Sequence, residues 1–509
     1  FAGTRPGFDC LLGNPPWEKL MVKEDEFWLA HIPGLMGQDH PTKARTIAEF
    51  ASRAPDRVRE LEYRKQQSTF FRQSLAAGPF PGAANGHFDL YKMFAWRFWA
   101  LSNKVALLGI VLPWNALADA ALKNWRERVF SEGSFVDVQE LHNRNQWLFD
   151  IGSQIVVALT SISRGSNRKT IHTRGPITSL KSFHSDTRAL EFDTEEYSKW
   201  SNDFSFLSFP PDPQSISVFQ SLRRFPLLGS GQHPWKAAAL YNELSLSKDS
   251  KLLDDPSRDD EGVIPVLSGA SIDIWIPETG HRYGSISYEL AATHFLKKRK
   301  NQAKYGTSVF HSMPTSELND PLTLEFNVPR IAYRKISRRA DSRTIIPALI
   351  PPSRIAQDGL PVIVFRDGNK RDEAFLLGIM STVVFDWQSR RYVELNVLKR
   401  IIDNLAVPVP DGSMASQRVT TIAGRLAAID QRFADWAAAV GVPVKSVTSQ
   451  TEKDDLIAEL DAVVAHLYGL DRSDLEVIWN TFYEKTPRND RRPPLERVLE
   501  HHERWAEHA

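Results

Sequence analysis

Phe8-Asp9-Cys10-Leu11-Leu12-Gly13-Asn14-Pro15-Pro16-Trp17 is an apolar run that stops at a doubled proline. The run reads as a buried strand, with Cys10 as an inert core residue. Two consecutive prolines fix φ and remove two backbone donors, so the Asn14 side chain and the nearby carbonyls are held outward instead of being consumed by a sheet or helix. Trp17 adds a flat face beside them. An amide oxygen, a carbonyl oxygen and a π-face in one place suit the exocyclic amino group of a nucleobase. The plainer alternative is a Pro-Pro turn with Trp17 packed into the core.

Downstream, Phe88-Asp89-Leu90-Tyr91-Lys92-Met93-Phe94 leads into an amphipathic helix ending near Leu101. An apolar strand over 105–113 and a helix over 119–130 follow. Glu140-Leu141-His142-Asn143-Arg144 and Trp147-Leu148-Phe149-Asp150 then precede a second apolar strand over 155–159. Strands alternating with amphipathic helices over 1–165 predict one half of a doubly wound α/β sheet. A segment from about 28 to 80 interrupts it. Its part over 42–75 is rich in Arg, Glu and Gln and predicts a pair of exposed helices.

Asn-Pro-Pro-aromatic after an apolar strand resembles the catalytic motif of DNA adenine-N6 methyltransferases. The order of the helix, strand and aromatic-containing segments downstream is similar to that family too. The resemblance implies that Asn14 and Pro15 accept hydrogen bonds from the target amine, that Pro16 stiffens the corner, and that Trp17 stacks on the flipped base. It makes Phe149 a further aromatic packed against the target base; the alternative is an ordinary core Phe before a strand. Ile264-Pro265-Val266-Leu267-Ser268-Gly269-Ala270 resembles the turn that opens the DNA-recognition region of methylases in type IIG restriction enzymes and in phage-defence systems such as DISARM and BREX. Segments over 330–336, 343–352 and 375–387 resemble their specificity domain. The fold implied is α/β: the C-terminal half of a Rossmann-like methyltransferase sheet, a mixed α/β DNA-recognition domain, and a helical tail. The domains expected are a partial catalytic domain over 1–165, a connecting region over 166–262, a target-recognition domain over 263–410 and a helical region over 411–509.

The cofactor implied is S-adenosylmethionine, normally bound by a Gly-rich turn after the first strand, where backbone approaches the ligand closely. Gly3, Gly7, Gly229, Gly231 and Gly269 are the candidates, and none follows an apolar strand and opens a helix. The chain opens on Phe just before what the resemblance makes a fourth strand. The cofactor motif is therefore expected upstream of Phe1. A catalytically idle DNA-recognition subunit of a defence complex is the alternative from another class, and N4-cytosine methylation shares the same corner chemistry.

Composition sets outer bounds. A chain of 509 residues exceeds one ordinary core and should hold two or three domains. There is no apolar run of about 18 residues, so no membrane span is expected. A single cysteine excludes an internal disulfide framework and a Cys-based zinc cluster and suggests a reducing, cytoplasmic setting. The net charge of +1 is uninformative, but between Arg282 and Arg343 twelve basic side chains face five acidic ones. Lys297, Lys298, Arg299 and Lys300, with Arg334, Lys335, Arg338 and Arg339 near Tyr333, are the expected contacts to double-stranded DNA. A solvated charged face is the alternative. Other defence-system subunits are conceivable partners.

The clustered carboxylates Asp254, Asp255, Asp259, Asp260 and Glu261 sit in a loop-like stretch and read as linker, not as a metal site. His501, His502 and His508 have no second ligand group nearby, so no metal is expected. The tail predicts helices over 416–440, 454–467 and 474–482, with Gly469 as a C-cap.

Overall fold

The apolar runs at the start of the chain pair into one six-stranded sheet, seen in a computed structural model that describes residues 6–506 apart from 79, 83–87, 167, 186–188, 202–204, 211, 236, 241–242, 259, 307, 366–367, 394, 484–486 and 488. Gly3, Asp259 and His508 lie outside the described residues. The chain divides into two compact units, Phe1–Pro211 and Asp212–Ala509.

In the first unit β1 (Phe8–Gly13) leads through α1 (Glu24–Leu29), α2 (His40–Arg53), α3 (Pro55–Ala76) and α4 (Leu90–Leu101) to β2 (Ser102–Pro113). Next come α5 (Lys123–Glu132), β3 (Gly133–His142), β4 (Val156–Arg164), β5 (Thr170–Ile177) and β6 (Leu190–Asp193). The strand order is β1-β2-β4-β3-β5-β6. β1 is parallel to β2, β4 is antiparallel to both β2 and β3, and β5 is parallel to β3. β1, β2, β3 and β5 therefore all end on the same side of the sheet. The sheet continues past residue 165, because the alternating residues of β5 and β6 bury Ile171, Ile177, Leu190 and Phe192 against the same core.

β2 shows why these residues form a strand here. Ala106, Leu108, Ile110 and Leu112 are buried on one face, whereas Val105 and Leu107 on the other are more than half exposed. β1 departs from its expected burial. Its residues are exposed or half-buried, Leu12 at 79 % and Phe8 at 40 %, and Cys10 is an exposed free thiol rather than a core residue. The physical reason is position: β1 is an edge strand, with one neighbour and uncovered faces. The segment expected as two exposed helices is α2 and α3, which pack a small core of Phe27, Trp28, Ile32, Leu35 and Leu61.

The second unit holds two smaller sheets and a helical part. β7 (Ala237–Leu240), β8 (Val263–Leu267), β9 (Gly284–Ser287), β10 (Arg330–Tyr333), β11 (Pro347–Ile350), β12 (Ile355–Ala356) and β13 (Val362–Phe365) pair in the orders β11-β10-β13-β7 and β12-β8-β9. A strand from before residue 263 thus completes the four-stranded sheet. The helices Lys370–Ser381, Met414–Ala427 and Gln450–Leu467 bury continuous apolar faces. One helix expected over 416–440 is two, since Asp430 accepts a hydrogen bond from Arg432 N and starts a new turn before the helix Ala434–Val440. Gly469 takes φ +67°, the left-handed conformation expected after the helix Gln450–Leu467.

Among the described residues no helix is long and apolar enough to cross a membrane.

Candidate active site

Ligands of open α/β sheets bind beyond the carboxyl ends of the strands. At that end Asn14 follows β1, Trp114 follows β2 and Asn143 follows β3.

Gly13 lets β1 reach the corner. A Cβ there would lie 2.7 Å from the tip of the Phe98 ring on α4, so that ring would have to shift to admit a side chain. The four residues of the corner then differ in burial: Asn14 and Pro16 are exposed, Pro15 is buried and Trp17 is half-buried. Beyond the corner the chain is pinned, with Leu90 N donating to Glu18 O at 3.0 Å and Leu20 N donating to Phe88 O at 2.8 Å. Among the described residues no hydrogen bond engages the Asn14 amide or the Pro15 carbonyl. The two acceptors are thus held by prolines and by flanking backbone bonds, with their lone pairs unspent.

Trp17 packs on Leu141, Val157 and Ile177, and so does Phe149. The two rings meet edge to face, centroids 6.2 Å apart and planes at 74°. That is ordinary aromatic-pair geometry, with part of each ring left accessible. The Trp17 Nε1 is buried with no hydrogen-bond partner among the described residues. Behind them the end of β3 is fixed by a polar chain in which His142 Nε2 lies 2.7 Å from Glu140 Oε1 and Ser208 Oγ donates to Glu140 Oε2 at 2.5 Å. The motif residues and Phe149 are therefore brought together across the sheet. Sequence reading did not assign Asn143 or Trp147 to this place; Trp147 Nε1 donates to His142 O at 2.8 Å and is part of the same wall.

The basic residues of the second unit separate into two groups. On the helix Tyr288–Gln302, Lys297 and Lys300 are exposed, joined by exposed Lys304 just beyond it. Arg299 is a correction: it is 2 % exposed, donating to Glu325 Oε2 at 2.9 Å and to Thr323 O at 2.6 Å, so it cannot reach a phosphate. Lys298 also turns inward, donating to Glu243 O at 3.1 Å, and burial pulls its ammonium below the ordinary lysine range. A helix places four consecutive side chains on all its faces, which is why a run of basic residues cannot act as one patch. Arg334 is likewise committed, its guanidinium donating to Gly269 O and Ile272 O at 2.9 Å and so fastening the turn after β8. Lys335 donates to Asp358 O at 3.2 Å. Arg338 stays exposed and pairs with Asp341 at 3.0 Å, while Arg339 is half-buried and its carbonyl accepts from Arg390. Tyr333 is fully buried.

The carboxylate-rich loop shows local pairing, Arg258 bridging Asp254 at 2.9 Å and Asp260 at 2.7 Å. His501 faces Asp455, and His502 stacks on His466 at 3.9 Å. Among the described residues no group of three or more His, Cys, Asp or Glu is arranged to hold a metal ion.

The described residues do not form a cradle for S-adenosylmethionine. Gly7 and Gly231, at φ +106° and +73°, open no helix, and Gly229 and Gly269 are not left-handed. Gly368, at φ +100°, does lie between β13 and the helix Lys370–Ser381, but a Cβ there would meet Trp235 at 2.8 Å and Asp372 at 3.0 Å.

No family model matches this sequence, and no curated protein matches it. Among solved structures the chain is similar to the type IIL restriction-modification enzyme MmeI in complex with DNA, with 10 % identity, a TM-score of 0.41, and coverage of 93 % of this chain and 56 % of that one. It is similar to the type IIG restriction endonuclease BpuSI, with 12 % identity, a TM-score of 0.27 and coverage of 78 % and 51 %. The DrdV-DNA complex gives 9 % identity, a TM-score of 0.32 and coverage of 83 % and 44 %. The chain spans about half the length of these structures. Of these three, MmeI is described as a restriction-modification enzyme and BpuSI as a restriction endonuclease, and the MmeI and DrdV structures contain DNA.

Proposed function

We propose that the corner at the end of β1 receives an adenine turned out of duplex DNA and grips its N6 amine, as part of adenine methylation in a restriction-modification or phage-defence system. The observation that carries this is the meeting of Trp17 and Phe149, half-buried and edge to face, beside an exposed Asn14 whose amide is unengaged among the described residues.

An adenine in duplex DNA is paired and stacked, and extruding it costs a few kcal/mol. Stacking on an aromatic face contributes about 1–3 kcal/mol per base and offsets part of that. The N6 lone pair is delocalised into the ring, which makes the amine a poor nucleophile. Asn14 Oδ1, carried on the proline-stiffened backbone, and the Pro15 carbonyl accept its two N–H bonds and favour a tetrahedral nitrogen with its lone pair turned out of the ring plane. Positioning carries this, with no side chain needed as a base. Duplex DNA is held through exposed basic side chains, Lys297, Lys300 and Arg338 among those expected.

S-adenosylmethionine supplies the methyl group in this reading, and residues other than the described ones would hold it.

The test is transfer of labelled methyl from S-adenosylmethionine to mixed-sequence duplex DNA by the intact methylating protein. Asn14→Ala should lower the rate by about 10²–10³, the scale for removing one preorganised polar group from a developing charge, with duplex affinity unchanged. An undiminished rate contradicts the proposal.

A further inference from the structure

We infer that Asn143 is the positioning residue of this site, tying the loop after β3 into a closed ring that places Phe149 edge to face with Trp17, the two rings being adjacent walls of the slot for a flat heteroaromatic base. The inference deepens the proposed function and rests on it for the identity of what enters the slot.

Asn143 is fully buried at the end of β3. Its Nδ2 donates to Phe149 O at 2.9 Å and to Ile151 O at 3.3 Å. Its Oδ1 accepts from Leu148 N at 3.1 Å and from Phe149 N at 3.3 Å. Both donors and both lone pairs of one primary amide are thus spent on four backbone groups of the same loop, the full capacity of that side chain. No shorter polar side chain reaches all four, and no apolar one replaces any.

The loop needs such a fastener. Asn145 and Gln146 both sit in the left-handed region, at φ +57° and +55°, where a side chain is strained. Backbone strain of this kind persists only where surrounding bonds over-determine it. Here the surrounding bonds converge on Asn143 at one end, with Asn143 N donating to Ile155 O at 3.2 Å, and on Trp147, whose indole N–H holds His142 O. Phe149 is bonded to Asn143 through both its N–H and its carbonyl. Asn143 therefore fixes the backbone from which the Phe149 ring reaches Trp17, and the packing on Leu141, Val157 and Ile177 holds the ring itself.

The test uses the whole chain with ring-labelled phenylalanine, the Phe149 signal being assigned by Phe149→Leu. In Asn143→Ala the Phe149 ring signal should move toward that of an exposed ring, the other phenylalanines holding still. A duplex carrying 2-aminopurine opposite a mismatch provides the second readout. Its fluorescence rise on protein binding should fall about tenfold in the variant, with duplex affinity kept within about twofold. An unmoved Phe149 signal, or an undiminished rise, overturns the inference. If the wild-type chain gives no rise at all, base capture fails as a reading, and the ring signal alone decides whether Asn143 positions Phe149. Should Asn143→Ala not fold, amide exchange in the wild-type chain decides. Leu148 and Phe149 N–H should be protected relative to Asn145, and equal exchange overturns the inference.

Discussion

A primary amide and a proline carbonyl offer neither acid nor base, so a site built on Asn14 and Pro15 has only geometry and shape with which to act. The aromatic pair then becomes the measurable part of base capture. Phe149→Ala removes one wall of the slot at a loss of about 1–3 kcal/mol of stacking. Capture of an extruded base, read as 2-aminopurine fluorescence, should weaken by the corresponding factor while binding to ordinary duplex stays the same. Equal capture would place Phe149 in the core alone. The corner was legible because its chemistry is local: proline stiffness and the outward amide need no distant partner. The meeting of Phe149 with Trp17 was expected only through resemblance, since it depends on β1 and β3 ending on the same side of one sheet. Asn143 had no readable role in the sequence, because its partners are backbone atoms of a loop and carry no side-chain pattern.

Within a single element, the helix Tyr288–Gln302 divides its basic run by phase. Replacing both Lys297 and Lys300 by Ala should weaken duplex binding for all sequences alike and flatten the salt dependence, by about 0.9 in slope for each phosphate no longer neutralised. An unchanged salt slope would remove this face from DNA. Arg299→Ala should act on stability instead, costing about 1–3 kcal/mol because the buried guanidinium's hydrogen bonds to Thr323 and to half-buried Glu325 are lost. The sequence showed the charges but not which of them the helix turns inward toward Thr323 and Glu325. On the helix Gln450–Leu467, Asp461 is fully buried and accepts from Val383 N at 2.6 Å. Burial pushes its carboxyl up from 3.8 to about 7, against the opposing pull of Arg343 and the backbone N–H groups of Val383 and Val384. Between those two values the folded state holds the proton and the unfolded chain does not. The stability it contributes is therefore full below the ordinary carboxylate pKa and is lost as pH rises through about 7. Asp461→Asn keeps an acceptor without the charge, so the drop in melting temperature between about pH 5 and about pH 8 should shrink by a few degrees. An equal drop in both proteins would locate the pH sensitivity elsewhere.

Across the whole chain, the two compact units separate the expected chemistry from the expected DNA contacts: the corner lies in Phe1–Pro211 and the basic helix in Asp212–Ala509. The alternation of strands and helices made the first sheet readable, but its extent was not, because β5 carries few apolar residues and β6 has only four residues, so both join by pairing rather than by pattern. The exposure of β1 was equally hidden: an apolar strand reads as buried whether or not a neighbour covers it. Whether Asn14 holds an adenine amine for methylation is decided by mapping N6-methyladenine in the genome of a host without adenine methylation of its own, carrying the intact gene either unaltered or with Asn14→Ala. Methylated adenines in a defined sequence context are expected with the unaltered protein, and their loss with Asn14→Ala; the same methylated sites in both strains, or none with the unaltered protein, would refute that role for Asn14.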